Sequence, residues 1–568
     1  MYDNRIRILA GVAVLFATGC LGPQQPAISL SKKVHIPDKS VVIFFIDGLD
    51  RTRMMGLLEA GTLPNINKYF VEGGVGVRHA VTSIPAITYP NSVSLLTGCF
   101  PGHHGIMGNL WFDRCTMEIP DYIHADSFRS VNKHFDRRTI YEVLHDHFTV
   151  SVQFHTRRGV THTFDNLITT AIDWYTHNFS AVDRRVGYTL NNVIRLANRE
   201  KRWPTVMTYY FPGVDETGHR FSSASRRYDE ALMTADHSIG IVCDAIIASK
   251  LADRTYFVLT TDHAHVPTPA DRHFDLARWL EQEYDLRVRG KRLKSKSYER
   301  RLRQLNKYDA ILFTDAGRRA LIHLSGRGGW YSRPEPETVL DLAEAFSQLP
   351  AIGLTTWCDE HSKVQVRSPT GAALVERKIE AETALYRLTI DGTDPLGYTA
   401  DPTLREYVAA GWHDSRSWLA ATVETAYPDF VPQVVEMFDS PRAGDIVLFA
   451  AENWAFDEWQ SGHGSCSARD MHVPMYFAGP DLPAGTQIDY ARNVDIMPTI
   501  LDLLGEAHRL SDIEPIDGRS VAEELRRAEN QLPESARSPS DSGELLSDPL
   551  PQPRNVRRGR LAAVGLDR

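Results

Sequence analysis

The chain has 568 residues, 63 Lys+Arg against 72 Asp+Glu for a net charge of −9, and 42% hydrophobic residues. That apolar content excludes a disordered or fibrous chain, and the mild acidity argues against bulk nucleic acid or an anionic membrane surface as the main partner. Six cysteines in so long a chain, with no C-x-x-C pair, exclude a disulfide scaffold and a zinc-ribbon array.

At the start, Arg5 and Arg7 precede a short apolar run from Ile8 to Ala17, too short to span a bilayer as a helix and laid out like a secretory signal peptide. It ends in Ala17-Thr18-Gly19-Cys20, similar to a lipoprotein cleavage box with Cys20 as the lipidated residue. Residues 1–20 are therefore expected to be a signal peptide of lipoprotein type and 21–39 a tether. The protein would be exported, to the periplasm or cell surface, with membrane contact only through that anchor.

Next comes Val41-Val42-Ile43-Phe44-Phe45-Ile46, a continuous apolar run followed by Asp47-Gly48. Runs without polar alternation fit strands buried on both faces. Three more share the form: Thr205 to Phe211 leads into Asp215, Thr255 to Thr261 into Asp262-His263, and Ile446 to Ala450 toward His463. Helical patterns between them predict an α/β fold with a mostly parallel central sheet and right-handed crossovers. Ligands in such sheets bind beyond the carboxyl ends of the strands, where these side chains cluster. One Asp after a strand is usually a turn or cap residue, but four such ends together are hard to assign to turns alone.

Carboxylate plus imidazole suits zinc, or manganese and iron, better than magnesium. The spacing Asp215 to His219 lets both converge on one ion, and there are enough ligands for two. A two-metal site implies in-line displacement at phosphorus or a related centre. The nucleophile candidate is Thr88, expected as the N-cap of a helix with Pro90 in its first turn and Gly98 at its end. A helix start favours a phosphoryl group and an alkoxide, and a nearby metal would make the hydroxyl a usable nucleophile.

Farther along, Arg287 to Arg303 reads as a solvated helix face, with hairpins around Thr314-Asp315-Ala316-Gly317 and Ser368-Pro369-Thr370-Gly371. Roughly 266–440 is expected to be a cap-like insertion in a catalytic domain spanning 40–527, and 528–568 a disordered tail. Cys99 and Cys115 could pair in an oxidising compartment.

These landmarks resemble the alkaline phosphatase superfamily, and most closely its type I phosphodiesterase/nucleotide pyrophosphatase family. The resemblance runs from about Val41 to Gly505 and includes Thr62-Leu63-Pro64-Asn65, Thr88-Tyr89-Pro90-Asn91, His104-Gly105-Ile106 and Asp495-Ile496-Met497-Pro498-Thr499 besides the strand ends above. It implies a three-layer α/β/α fold, one metal on Asp215, His219 and His463, and another on Asp47, Asp262, His263 and the Thr88 oxygen. It further implies that Asn109 contacts a non-bridging phosphoryl oxygen, and that Tyr89 and Tyr210 fall where relatives hold a base between aromatic rings. The partner would be a small phosphoester, hydrolysed through a phosphothreonine intermediate. Ser92 departs from the pattern, since relatives often carry His there. His103, His104, His265 and His472 are expected to play supporting or structural roles.

A sulfatase would need Cys or Ser followed by Pro and Arg in the nucleophile motif, and Thr88-Tyr89-Pro90-Asn91-Ser92 lacks that Arg. A phosphomonoesterase usually adds an Arg or a third metal for the extra charge, so diesters are favoured. Phosphonates and phospholipid head groups stay open on the same ligands, as does, from another class, a surface lipoprotein that binds a partner without catalysis.

Overall fold

The computed structural model describes residues 26–528 apart from 125–126, 166, 291–292, 294 and 296. The expected signal peptide with Cys20, and residues 529–568 of the expected tail, lie outside the described residues. Nine strands form the first sheet: β1 (Ser40–Ile46), β2 (Val75–Val81), β3 (Thr149–Val152), β4 (His162–Phe164), β5 (Val206–Phe211), β6 (Thr255–Thr260), β7 (His472–Val473), β8 (Met475–Ala478) and β9 (Thr486–Arg492). Their order is β9-β2-β8-β6-β1-β5-β3-β4, with β7 extending the line of β8 beside β2. All pairings are parallel except those of β7 and β8.

The apolar run of β1 owes its lack of alternation to two cores, one on each face. Val42, Phe44 and Ile46 join a cluster with Val186, Leu190 and the helix Arg226–Ala248, whereas Val41, Ile43 and Phe45 join one with Leu95, Leu96 and the helix Ile496–Leu504. Strands pointing successive side chains to opposite faces need apolar residues at every position when both faces are covered. The helix Arg226–Ala248 is long and apolar enough to cross a membrane by length and composition, but it buries Leu232, Ile239, Val242 and Ile246 in this core.

A second sheet corrects the place expected for Ile446–Ala450. That strand does not join the parallel sheet; it pairs antiparallel with Ile352–Cys358 on one side and Arg319–Leu324 on the other. The sheet order is His413–Asp414, Thr383–Gly392, Gly371–Glu380, Val364–Arg367, Ile352–Cys358, Ile446–Ala450, Arg319–Leu324, Ala310–Phe313 and Val288–Arg289. Both expected hairpins are present, Ala310–Phe313 with Arg319–Leu324 and Val364–Arg367 with Gly371–Glu380. The difference has a physical cause. Ile446, Leu448 and Ala450 face one core and Val447 and Phe449 another, so this strand is as apolar as a central parallel strand. The segment expected as an insertion ending near 440 is thus part of a sheet that needs Ile446–Ala450 at its centre.

Residues 26–39 also depart from the expected tether. Ile28, Leu30, Val34 and Ile36 pack against the first sheet's core, and the Ser31 N–H donates to Asn198 Oδ1 at 2.7 Å. Cys99 is a buried free thiol and Cys115 an exposed one, not a disulfide. The basic run contributes the helix Tyr298–Leu305, in which Arg301 is buried rather than solvated.

A buried polar joint ties the first sheet to the helix Phe430–Phe438, which packs against the second sheet. Arg492, at the end of β9, meets Asp429 with two hydrogen bonds of 2.6 Å, Nε to Oδ2 and Nη2 to Oδ1, both side chains at most 1% exposed. The same carboxylate accepts from Gln433, whose amide also spans to the Thr82 carbonyl and the Ile84 N–H, on the loop that follows β2. Removing one partner of such a pair leaves the other buried and unsolvated. Asp429→Ala is therefore expected to lower unfolding stability by about 3–5 kcal/mol, measured by denaturant titration. A change of a few tenths would show that the joint carries no load.

Candidate active site

Three parallel neighbours, β5, β1 and β6, end side by side, and each is followed by a carboxylate: Asp215, Asp47 and Asp262. The strands stop where the chain must turn, Gly48 taking φ +64°. Asp215 and His219 sit one turn apart on the helix Gly213–Phe221, with Asp215 Oδ1 to His219 Nε2 at 3.5 Å. The helix begins under Asp183, a buried carboxylate whose Oδ1 accepts the Gly213 N–H at 3.1 Å and which burial pushes up to about 7.

Thr88 is the first residue of the helix Thr88–Thr97, so the expected cap position shifts by one to Ile87. Its hydroxyl does not fold back on the helix; Oγ1 lies 3.1 Å from His263 Nε2. Asn91 explains how the loop before it is held. Its amide donates to the carbonyls of Ser83, Pro85 and Ile87, and its oxygen accepts from the Ser83 N–H and from Asn493. The expected set of free helix-start N–H groups is smaller than a bare terminus offers, because Pro90 has none and Tyr89 donates its own to Asn109 Oδ1 at 3.3 Å.

All seven expected ligands converge. Asp47, Asp262 and His263 offer atoms within 4.8 Å of one another, as do Asp215, His263 and His463. Around His263 Nε2 lie Asp262 Oδ2 at 3.3 Å and Asp47 Oδ1 at 3.5 Å, and the rings of His263 and His463 stack at 3.4 Å.

The donor set fits divalent metal. Asp47 Oδ1 and Asp262 Oδ2 are buried without a hydrogen-bond partner, while the other oxygen of each is satisfied, by the Tyr210 hydroxyl for Asp47 and by the Gly48 and His263 N–H groups and Thr261 Oγ1 for Asp262. His219, His263 and His463 each direct Nδ1 to a backbone carbonyl, of Ser461, Ala264 and Ala86. Nδ1 is thus the protonated nitrogen and Nε2 presents its lone pair inward, the tautomer a metal ligand needs. Burial, then the charges of Asp262 and Asp215, hold Asp47 well above the usual carboxylate range. Burial also raises Asp215, but its neighbours His219 and His265, the latter through its hydrogen bond, outweigh it and the net shift is down. Burial carries His463 well below an ordinary imidazole.

Several participants were not singled out as site residues from sequence. His265 Nε2 lies 2.7 Å from Asp215 Oδ1, so it donates to the carboxylate rather than presenting a lone pair. Asp457 lines the cavity with one buried, unpartnered oxygen, and burial pushes it up to about 6. His155 Nε2 bonds Ser92 Oγ at 2.7 Å, so Ser92 meets an imidazole from another element. His155 also packs between chemistry-bearing rings, 4.3 Å from Tyr89 and 5.0 Å from Tyr210. The remaining flagged histidines stand apart. His103 is ion-paired with Glu436, Asp439 and Asp517, His104 bonds Ser94 and the Pro90 carbonyl, and His472 packs edge-on against His79.

A cavity of about 1340 Å³ is lined by Thr88, Asn109 and His463 of the cluster together with Tyr122, Trp174 and Phe313. Residues 41–326 match the family described as type I phosphodiesterase / nucleotide pyrophosphatase. The chain belongs to that family. It is 23% identical over 45% of its length to an uncharacterized pyrophosphatase/phosphodiesterase of Schizosaccharomyces pombe, covering 50% of that protein. It is 23% identical over 44% of its length to the bis(5'-adenosyl)-triphosphatase ENPP4 of Pongo abelii, covering 52% of it. The chain thus spans about half the length of these curated relatives. Murine ectonucleotide pyrophosphatase/phosphodiesterase 5 superposes with a TM-score of 0.54 at 15% identity, over 86% of this chain and 99% of that one. The fold is alkaline-phosphatase-like, α/β with a mostly parallel central sheet, as in that structure.

Gly48 tests the geometry. A Cβ there would lie 2.7 Å from the His265 ring and 2.8 Å from Asp215 Oδ1, at a φ that L side chains rarely adopt. Gly48→Ala is expected to weaken metal affinity by about 10–100-fold, the scale of losing a ligand's support, read by metal analysis after dialysis. Unchanged retention would show that Asp215 is not a ligand.

Proposed function

We propose that this family member is a metal-dependent phosphodiesterase, hydrolysing a small phosphoric diester or a nucleotide pyrophosphate bond with Thr88 as nucleophile. The observation that carries this reading is the Thr88 hydroxyl beside His263, among carboxylates whose unpartnered oxygens and imidazoles whose lone pairs face one another at the end of an open cavity. Two divalent ions, one at Asp215, His219 and His463 and one at Asp47, Asp262, His263 and the Thr88 oxygen, would when bound lower the hydroxyl pKa and neutralise charge developing at phosphorus. Zinc suits the donors, with manganese and iron as alternatives.

Thr88 Oγ1 forms the new bond to phosphorus as the bond to the opposite, leaving oxygen breaks, giving phosphothreonine. Water then displaces Thr88, restoring its hydroxyl and releasing the phosphate ester, and two inversions leave configuration retained. Asn109 keeps its oxygen on the Tyr89 N–H, so its Nδ2 hydrogens are the donors for a non-bridging oxygen. Among the described residues that line the cavity Arg289 is the one arginine and there is no lysine, which supports a diester over a more highly charged monoester. Tyr89 and Tyr210 both line the cavity and supply aromatic surface for the substrate body. The chain's first residues support export with a lipid on Cys20, which would place this chemistry outside the cytoplasm.

Thr88→Ala is expected to cut turnover of bis(p-nitrophenyl) phosphate by at least about a thousand-fold, with metal content and melting temperature close to the unsubstituted protein. Activity within tenfold of that protein would exclude Thr88 as nucleophile.

A further inference from the structure

The segment Met107–Leu110 has no regular structure and reaches the Thr88 site from outside the parallel sheet. The second sheet holds it. In the turn between Ala310–Phe313 and Arg319–Leu324, Asp315 Oδ2 accepts the Asn109 N–H at 2.7 Å and the Leu110 N–H at 3.1 Å. Just beyond the turn, buried Arg319 donates from Nη2 to the Met107 carbonyl at 3.0 Å. Gly108 lies between these contacts, and a Cβ on it would stand 2.5 Å from Arg319 Nη2 and 2.8 Å from the Leu110 carbonyl oxygen, so the clamp closes only over glycine.

The Asp315 side chain is 3% exposed, its other oxygen is buried without a hydrogen-bond partner, and Arg319 Nη2 is 3.8 Å from it. Burying a carboxylate with one oxygen unpaired is costly. Two amide hydrogen bonds to a formal charge, with the Arg319 guanidinium beside it, offset that cost, and both amides are on the backbone of Asn109 and its neighbour. Asn109 is then fixed at three points, its N–H by Asp315, its carbonyl by the Tyr122 N–H at 3.0 Å and its side-chain oxygen by the Tyr89 N–H.

We propose that Asp315 is a positioning residue that, through the main chain of Asn109 and Leu110, sets the direction in which the Asn109 carboxamide meets a phosphoryl group at Thr88. The inference rests on the proposed role of Asn109. A displaced donor loses most of its effect on a transition state, and a shift of about 1 Å costs on the order of 100-fold.

The test is a double-mutant cycle on the metal-loaded full chain with bis(p-nitrophenyl) phosphate, scoring kcat, KM, metal content and melting temperature. Asp315→Ala is expected to lower kcat by about 10–100-fold with KM changed less than threefold and metal content unchanged. Asn109→Ala lowers kcat by a similar factor, and adding Asp315→Ala to it costs less than twofold more, because residues acting through one group are non-additive. Asp315→Asn keeps one acceptor and is expected to fall between, with the same non-additivity; it carries the test if the alanine variant does not fold. Full activity in both Asp315 variants beside an impaired Asn109→Ala would overturn the proposal, as would effects that multiply in the double variant. Activity lost in step with metal would also overturn it, because the same turn holds the main chain of His463 through Ala316 and Arg318. Full activity in Asn109→Ala would instead remove the role of Asn109 on which the proposal stands.

Discussion

Three adjacent parallel strands deliver three carboxylates to one sheet edge, and this crowding of buried negative charge governs everything built around it. Asp47, Asp215 and Asp262 are each at most 9% exposed. Like charges that close cannot all remain ionised in a poorly solvated site unless positive charge joins them. Neutral imidazoles from three further places add lone pairs but no charge, His219 on the helix after β5, His263 next to Asp262, and His463 from the chain beyond the second sheet, so the demand for positive charge is left open. The oxygens left without partners and the inward-facing lone pairs are complementary to divalent cations, and the proposed phosphoryl chemistry follows from placing a hydroxyl against them.

The second sheet is more than a cover. Its turn at residues 314–317 holds the main chain of His463, with the Ala316 carbonyl accepting from the His463 N–H and the His463 carbonyl from the Arg318 N–H. The same turn reaches Asn109, and the Asp429–Gln433–Arg492 joint reaches the loop before Thr88. Nucleophile loop, one imidazole and the proposed oxygen-binding amide thus depend on packing between sheets. A preorganised site needs its donors fixed before substrate arrives, and here that rigidity comes from contacts remote in sequence.

Those facts explain what the sequence could and could not reveal. A carboxylate after an apolar strand is a local signal, so Asp47, Asp215, Asp262 and His263 are legible without knowing how the chain folds, as are Thr88 at a helix start and His463 after an apolar run, and a family resemblance adds Asn109. Asp315 was visible only as a hairpin turn residue, a position where Asp is common for reasons of turn geometry alone. His155 and Asp457 had no motif, and their place at the cavity arises from tertiary packing. The sheet that Ile446–Ala450 joins is not legible, because burial on two faces erases the alternation that distinguishes strand environments. The docking of residues 26–39 is not legible either, because Ile28, Leu30, Val34 and Ile36 are too sparse to read as a docked segment before the surface they cover is known.

The central claim is that this cluster of buried carboxylates and imidazoles is a two-cation site. Anomalous diffraction from crystals of the purified protein, collected on both sides of the zinc, manganese and iron absorption edges, tests it most directly. Two anomalous peaks are expected, one between Asp215, His219 and His463 and one between Asp47, Asp262, His263 and Thr88. Protein that is active on a phosphodiester yet shows no peak at either position, or shows peaks only elsewhere, would contradict it.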